Sequence, residues 1–127
     1  METWLHEFEW TRVRHLVKDT LGITALPDLN AVLFLIGIQE LGVIKPNFSK
    51  EEKQDLMHLG VCRLLSYDDY YEFVGRDDDG WPHYKLLARP LVQGERTQEL
   101  LLKEKAIQYF QDWEKQAASL ENSELEI

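Results

Sequence analysis

The stretch DLNAVLFLIGIQELG, residues 28–42, decides the fold. Its centre, Ala31 to Ile38, has no polar side, and a helix that is apolar all round belongs in the middle of a bundle. Asp28 stands where an N-cap is needed, and Gly42 where a left-handed residue ends a helix. The branched residues in the run would also suit a buried strand. The polar flanks Asn30, Gln39 and Glu40, and the length of the segment, favour a helix. Gly37 offers a point of close helix crossing. The apolar run falls far short of a membrane span.

Amphipathic helices are expected around this axis. The first covers Glu2 to Thr20 and is stopped by Gly22 near Pro27. Leu5, Trp10, Val13, Leu16, Val17 and Leu21 share one broad face. Trp4 and Phe8 lie on another side, beside His15, so the first turns are apolar on two sides. The expectation is that neighbouring elements sandwich them, with a partner chain as the other choice. The third helix opens at Ser49, three residues before Glu52, which is the spacing of a capping box. It continues to about Leu65, with Leu56, Met57, Gly60, Val61 and Leu64 facing inward. Phe48, just before the cap, could pack on Lys53 or its neighbours. The last helix is expected from Gly94 or Glu95 to about Ser119, on a face made by Leu102, Ala106, Tyr109, Phe110, Trp113 and Ala117.

Between the third and fourth helices the composition changes. Tyr70 to Val74 is aromatic and branched, which suits a strand. Arg76 to Gly80 reads as a turn ending in Asp-Gly, and His83 to Leu87 as the return strand. The fold class is therefore mainly α: a compact four-helix domain with a β-hairpin at about 70–87. The expected single domain covers 1–120, with 121–127 as a disordered tail.

The chain has 127 residues, enough for one domain with a real core. One cysteine forbids an internal disulfide and suits a reducing compartment, so a cytoplasmic location is expected. The acidic start, METWLHEFEW, does not read as a signal peptide. The net charge of −9 disfavours nonspecific contact with nucleic acid or anionic membrane and is compatible with a basic partner. Much of that charge is local, since Asp68 to Gly80 holds six acids against one arginine.

Three constellations could carry chemistry. On the third helix Glu51, Asp55, His58 and Cys62 share one stripe. Asp55, His58 and Cys62 are the candidate metal ligands, although a metal would need further ligands from elsewhere. A solvated helix edge with a half-buried cysteine is the plainer reading. Asp77-Asp78-Asp79-Gly80 superficially matches a calcium loop, but Leu86 then stands where the last ligand must be a glutamate. His83 could face Glu72 or Tyr71 across the hairpin and do acid–base work, yet no complete catalytic set can be assigned. His6 falls in the apolar arc of the first helix as a packing histidine. Phosphate loops, dinucleotide fingerprints, paired zinc cysteines and serine elbows are absent from the sequence, and no cofactor is implied.

The expected function is a noncatalytic protein-interaction or regulatory module, with a protein partner or a homodimer. Its candidate surface is Trp4, Phe8, His15, Tyr71, Trp81 and His83. A small metal-dependent or acid–base enzyme is the first rival. A pocket joining Trp81, His83 and the Asp55–Cys62 stripe would overturn the interaction reading in favour of this rival. The second rival is a winged-helix-like or acidic nucleic-acid-mimicking module. Direct nucleic-acid binding fits poorly, because the hairpin tip is acidic where a wing should be basic.

Overall fold

A computed structural model of the chain describes residues 3–43, 45–90 and 94–125; at 3–5, 95, 96 and 122–125 it describes the backbone alone. Four helices form, α1 (Thr3–Leu21), α2 (Leu29–Leu41), α3 (Lys50–Leu65) and α4 (Glu95–Leu125). A single 3-10 turn, Ser66–Asp68, leads from α3 into the hairpin of β1 (Tyr71–Arg76) and β2 (Pro82–Leu86). The mainly helical domain with an inserted hairpin is thus the fold. No described helix is long and apolar enough to cross a membrane.

The caps explain where the central helices begin and end. The Asp28 carboxylate accepts the Ala31 N–H at 3.0 Å, and Gly42 closes α2 in the left-handed region at φ 80°. Ser49 and Glu52 complete both halves of the capping box, at 3.1 and 3.0 Å. Lys45 pairs with Glu52 as well, and this contact leads in holding the carboxyl down to about 2. Phe48 turns to α2, where its ring meets Phe34 edge-on at 5.6 Å.

The axis helix is buried along Val32, Leu33, Leu35, Ile36, Gly37 and Ile38. It crosses α3 through a reciprocal pair of glycines. A Cβ on Gly37 would lie 2.7 Å from the Leu56 carbonyl carbon and closer still to its oxygen. A Cβ on Gly60 would lie 3.1 Å from the Leu33 carbonyl carbon, again with the oxygen nearer. Each glycine therefore receives the other helix's backbone. Around this crossing, α1 contributes Trp10, Val13 and Val17, and α4 contributes Ala106, Ile107, Tyr109 and Phe110. A smaller cluster of Ile38, Leu56 and Leu59 seats Trp81 and Tyr84, which fastens the hairpin to the α2–α3 pair.

Two expectations about the helices need correction. The second apolar side of α1 is not sandwiched: Phe8 is 61% exposed and His15 is exposed. Among the described side chains, core contact on α1 comes from Trp10, Val13 and Val17, with Leu16 and Leu21 packed beside them. Similarly, α4 runs on to Leu125 instead of ending near Ser119, and Ala117 and Ala118 lie exposed beyond the last turn that packs. The side chain of Trp4 lies outside the described residues.

Candidate functional site

The hairpin is built by its turn. The Asp77 carboxylate accepts the N–H groups of Asp79 and Trp81, each at 3.0 Å, and Gly80 takes φ 84° to close the loop. Only a short acceptor side chain at 77 and a residue free of Cβ strain at 80 fit this geometry. The strands then pair Tyr71 with Leu86, Glu72 with Lys85 and Phe73 with Tyr84. A register shift follows between Phe73 and Gly75, so that Gly75 stands opposite His83. His83 faces neither Glu72 nor Tyr71, because those pair with Lys85 and Leu86. Its Nε2–H donates to the Asp77 carboxylate at 2.8 Å, and that bond is the leading cause of a lowered Asp77 pKa.

Arg76 ties the hairpin to the axis helix. Its guanidinium donates to the carbonyls of Glu40 and Leu41 at 2.6 and 3.1 Å, and to that of Gly80 at 2.8 Å. The helix C-terminus leaves just such carbonyls without intrahelical donors, and it favours a cation.

A trough of about 610 Å³ lies under β1. Its floor is the Glu40–Arg63 ion pair at 3.0 Å, and its walls include Tyr71, Glu72, Phe73 and Tyr84. Arg63 also lies over the Tyr67 ring at 4.6 Å and the Tyr109 ring at 5.4 Å. Tyr109 donates to Gln39 and Glu40 at 3.0 and 3.2 Å. Burial first, and then the Glu40 charge, push the Tyr84 hydroxyl up to about 12 and raise that of Tyr109 as well. Both phenols therefore stay neutral donors at physiological pH. Among trough residues, Glu40 reads in the sequence only as helix polarity, Arg76 as part of a turn and Phe73 as a strand residue, and Arg63 carries no signal at all.

A second, smaller pocket of about 190 Å³ joins the constellations singled out in the sequence. Asp55, His58, Cys62, Trp81 and His83 all line it. Helix α3 supplies the first three, and β2 with the turn before it supplies the others. The chemistry it offers is limited. Cys62 is buried, and desolvation pushes its thiol up to about 11. Its Sγ sits 3.5 Å from His58 Nε2, while Tyr71 meets the His58 ring edge-on at 6.4 Å. The trio thus wedges β1 against α3. Among the described residues, no three His, Cys, Asp or Glu side chains are grouped closely enough to hold a metal ion.

A thiol raised this far should react slowly. Alkylation of Cys62 at pH 8 is expected to run roughly a hundredfold slower than that of an ordinary free cysteine, because thiolate population falls tenfold per unit of pKa. The rate should climb with pH until about 11. Mass spectrometry of iodoacetamide-treated protein checks this. Rapid modification at pH 7 would reveal an activated nucleophile.

His6 is buried, and its Nε2 has no hydrogen-bond partner among the described residues. It packs where the first helix's apolar arc placed it, beside a cavity with Trp10 and Lys103. Comparison with family models, with curated proteins and with solved structures yields no match.

Proposed function

We propose that the chain is a noncatalytic protein-interaction module whose contact surface is the hairpin. One observation carries this reading. Among the described residues the sheet has two strands, and Phe73, Val74, Leu86 and Leu87 are all exposed on or beside it. Open strand edges and clustered apolar side chains are liabilities that proteins ordinarily cover, shorten or charge. Trp81, Tyr84 and Arg76 fasten the inner side of the hairpin to α2 and α3, so its stability is provided for, while the outer apolar side chains stay uncovered. The tip acids Asp77, Asp78 and Asp79 would repel a phosphate backbone, which argues against direct nucleic-acid contact.

The test is photocrosslinking in cells that make the protein. With Phe73 replaced by benzoyl-phenylalanine, a discrete adduct to another protein is expected. The same probe at Phe8, which is also exposed, is expected to give none. Adducts from position 8 alone would move the contact surface to α1 and reject the hairpin.

The pocket joining Asp55, His58, Cys62, Trp81 and His83 favours a second reading, a small acid–base enzyme. It meets the condition for overturning the interaction reading in geometry alone: it supplies a place for a substrate, but burial keeps the Cys62 thiol protonated, so no activated nucleophile stands in it. Fast alkylation of Cys62 would bring this reading forward.

A further inference from the structure

The open edge of β1 has a chemistry that selects its occupant. The Leu87 N–H donates to the Tyr70 carbonyl at 2.9 Å, which fixes one hydrogen-bonded position of the ladder. Antiparallel pairing alternates from there. Glu72 opposite Lys85 is bonded across the strands, whereas Tyr71 opposite Leu86 and Phe73 opposite Tyr84 are not. The main-chain N–H and C=O groups of Tyr71 and Phe73 therefore point outward. The 610 Å³ trough is lined by Tyr71, Glu72 and Phe73 of β1 but also by Pro82 and Tyr84 of β2, so it opens beneath the hairpin and reaches this strand from below. Phe73 is 51% exposed and Val74 58%, which leaves apolar surface for alternate side chains of an added strand.

Charge then separates the possible occupants. Both cations of the trough are engaged within the molecule: Arg63 by Glu40, and Arg76 by the carbonyls of Glu40, Leu41 and Gly80. Asp68 is taken by Lys105 and Asp77 by His83. Asp69, Glu72, Asp78 and Asp79 form no ion pair among the described residues, and neither do the two cations nearby, Lys85 opposite Glu72 and Arg89 beside Tyr71, so acids outnumber cations here by four to two. A second copy adding its own β1 would bring the same acids to the same edge, and like charge at close range opposes it. A basic segment meets the opposite field.

From this we infer that β1 takes up an extended, basic segment of another protein, alternating apolar and Lys or Arg residues, by strand addition. The inference rests on the hairpin being the contact surface and adds the chemistry of the partner. Backbone pairing with Tyr71 and Phe73 gives register, Phe73 gives apolar contact, and Asp69 and Glu72 select positive charge.

The experiment is selection of random short peptides, displayed in a library, against the whole immobilised protein at low salt. Peptides enriched several-fold in Lys and Arg are expected. Their affinity should fall roughly tenfold on going from low salt to 1 M, as screening removes the charge contribution. Phe73→Lys should abolish recovery of these peptides. The double variant Asp69→Asn, Glu72→Gln should remove the basic bias; asparagine tolerates the left-handed backbone at 69, where φ is 63°. Circular dichroism confirms that both variants fold. Peptides that need Phe73 but show no basic bias would overturn this inference and leave the hairpin as the contact surface. Peptides that bind Phe73→Lys protein equally well would overturn both, and recovery of none overturns strand addition.

Discussion

Gly37→Ala should lower the stability of the domain by about 3 kcal/mol, and Gly60→Ala should do nearly as much. Two effects compete in each substitution. Alanine is the better helix former, worth about 1 kcal/mol in a helix interior. Against this, the new methyl at 37 would meet the Leu56 backbone, and at 60 the Leu33 backbone, well inside contact distance. Neither obstacle is the flexible end of a side chain, so α2 and α3 must separate. Separation loosens Ile36 and Leu64 in the larger cluster and Leu56 in the smaller one, all of them buried. Sterics should therefore win. Urea denaturation reads the loss as a lower midpoint. An unchanged or higher midpoint in both variants would mean the helices do not cross this closely.

Phe110→Ala should cost about 3–5 kcal/mol, the usual range for deleting a buried aromatic ring. Phe110 is fully buried and meets Tyr109 and Trp113 edge-on at 5.2 and 5.7 Å. No neighbouring side chain is free to fill the space, because Val13, Val17, Val32 and Ala106 are themselves buried in the same cluster. Since a domain of this size has a total stability of about 5–15 kcal/mol, the variant should sit near its unfolding limit at physiological temperature. Thermal denaturation followed by circular dichroism measures it. Phe8→Ala, on the exposed side of α1, serves as the contrast and should fall within about 0.5 kcal/mol of wild type. Equal effects at the two positions would contradict the assigned core.

The helices were legible because their signals are local. Asp28, Gly42 and the Ser49–Glu52 box each act within one turn, and each is found doing so. The burial of residues 32, 33 and 35–38 follows from a segment with no polar side. Gly37 as a crossing point was legible too, although its reciprocal relation with Gly60 emerges only when the two helices are placed together.

The hairpin was legible as an element and opaque in its register. Asp-Gly located the turn, but the loop is set by Asp77, which gathers the N–H groups of Asp79 and Trp81. The register shift after Phe73 then moves every later pairing, which is why His83 meets Gly75 and bonds to Asp77. No local pattern records such a shift. Arg76 is opaque for a related reason. Its three carbonyl partners come from the end of α2 and from the turn, and a guanidinium in a polar stretch does not announce a helix C-terminus far away in sequence. The stripe of Asp55, His58 and Cys62 was read with its spacing right, and the pocket it shares with Trp81 and His83 is present. What spacing could not show is that Cys62 is buried against β1, and burial is what keeps its thiol protonated. The end of α4 is opaque for the opposite reason: Ala117 falls on the apolar face, yet Ala117 to Glu121 continue the helix exposed, and no packing marks where it stops.

Amide hydrogen exchange over the whole chain, with and without the protein captured from position 73, tests the hairpin most directly. Glu72 is already bonded within the ladder, whereas Tyr71 and Phe73 present outward amides. The expected result is slowed exchange at Tyr71 and Phe73 on binding, little change at Glu72, and none in α1. Slowed exchange in α1 or around Asp55, His58 and His83, with β1 unchanged, would contradict the assignment of the hairpin as the contact surface.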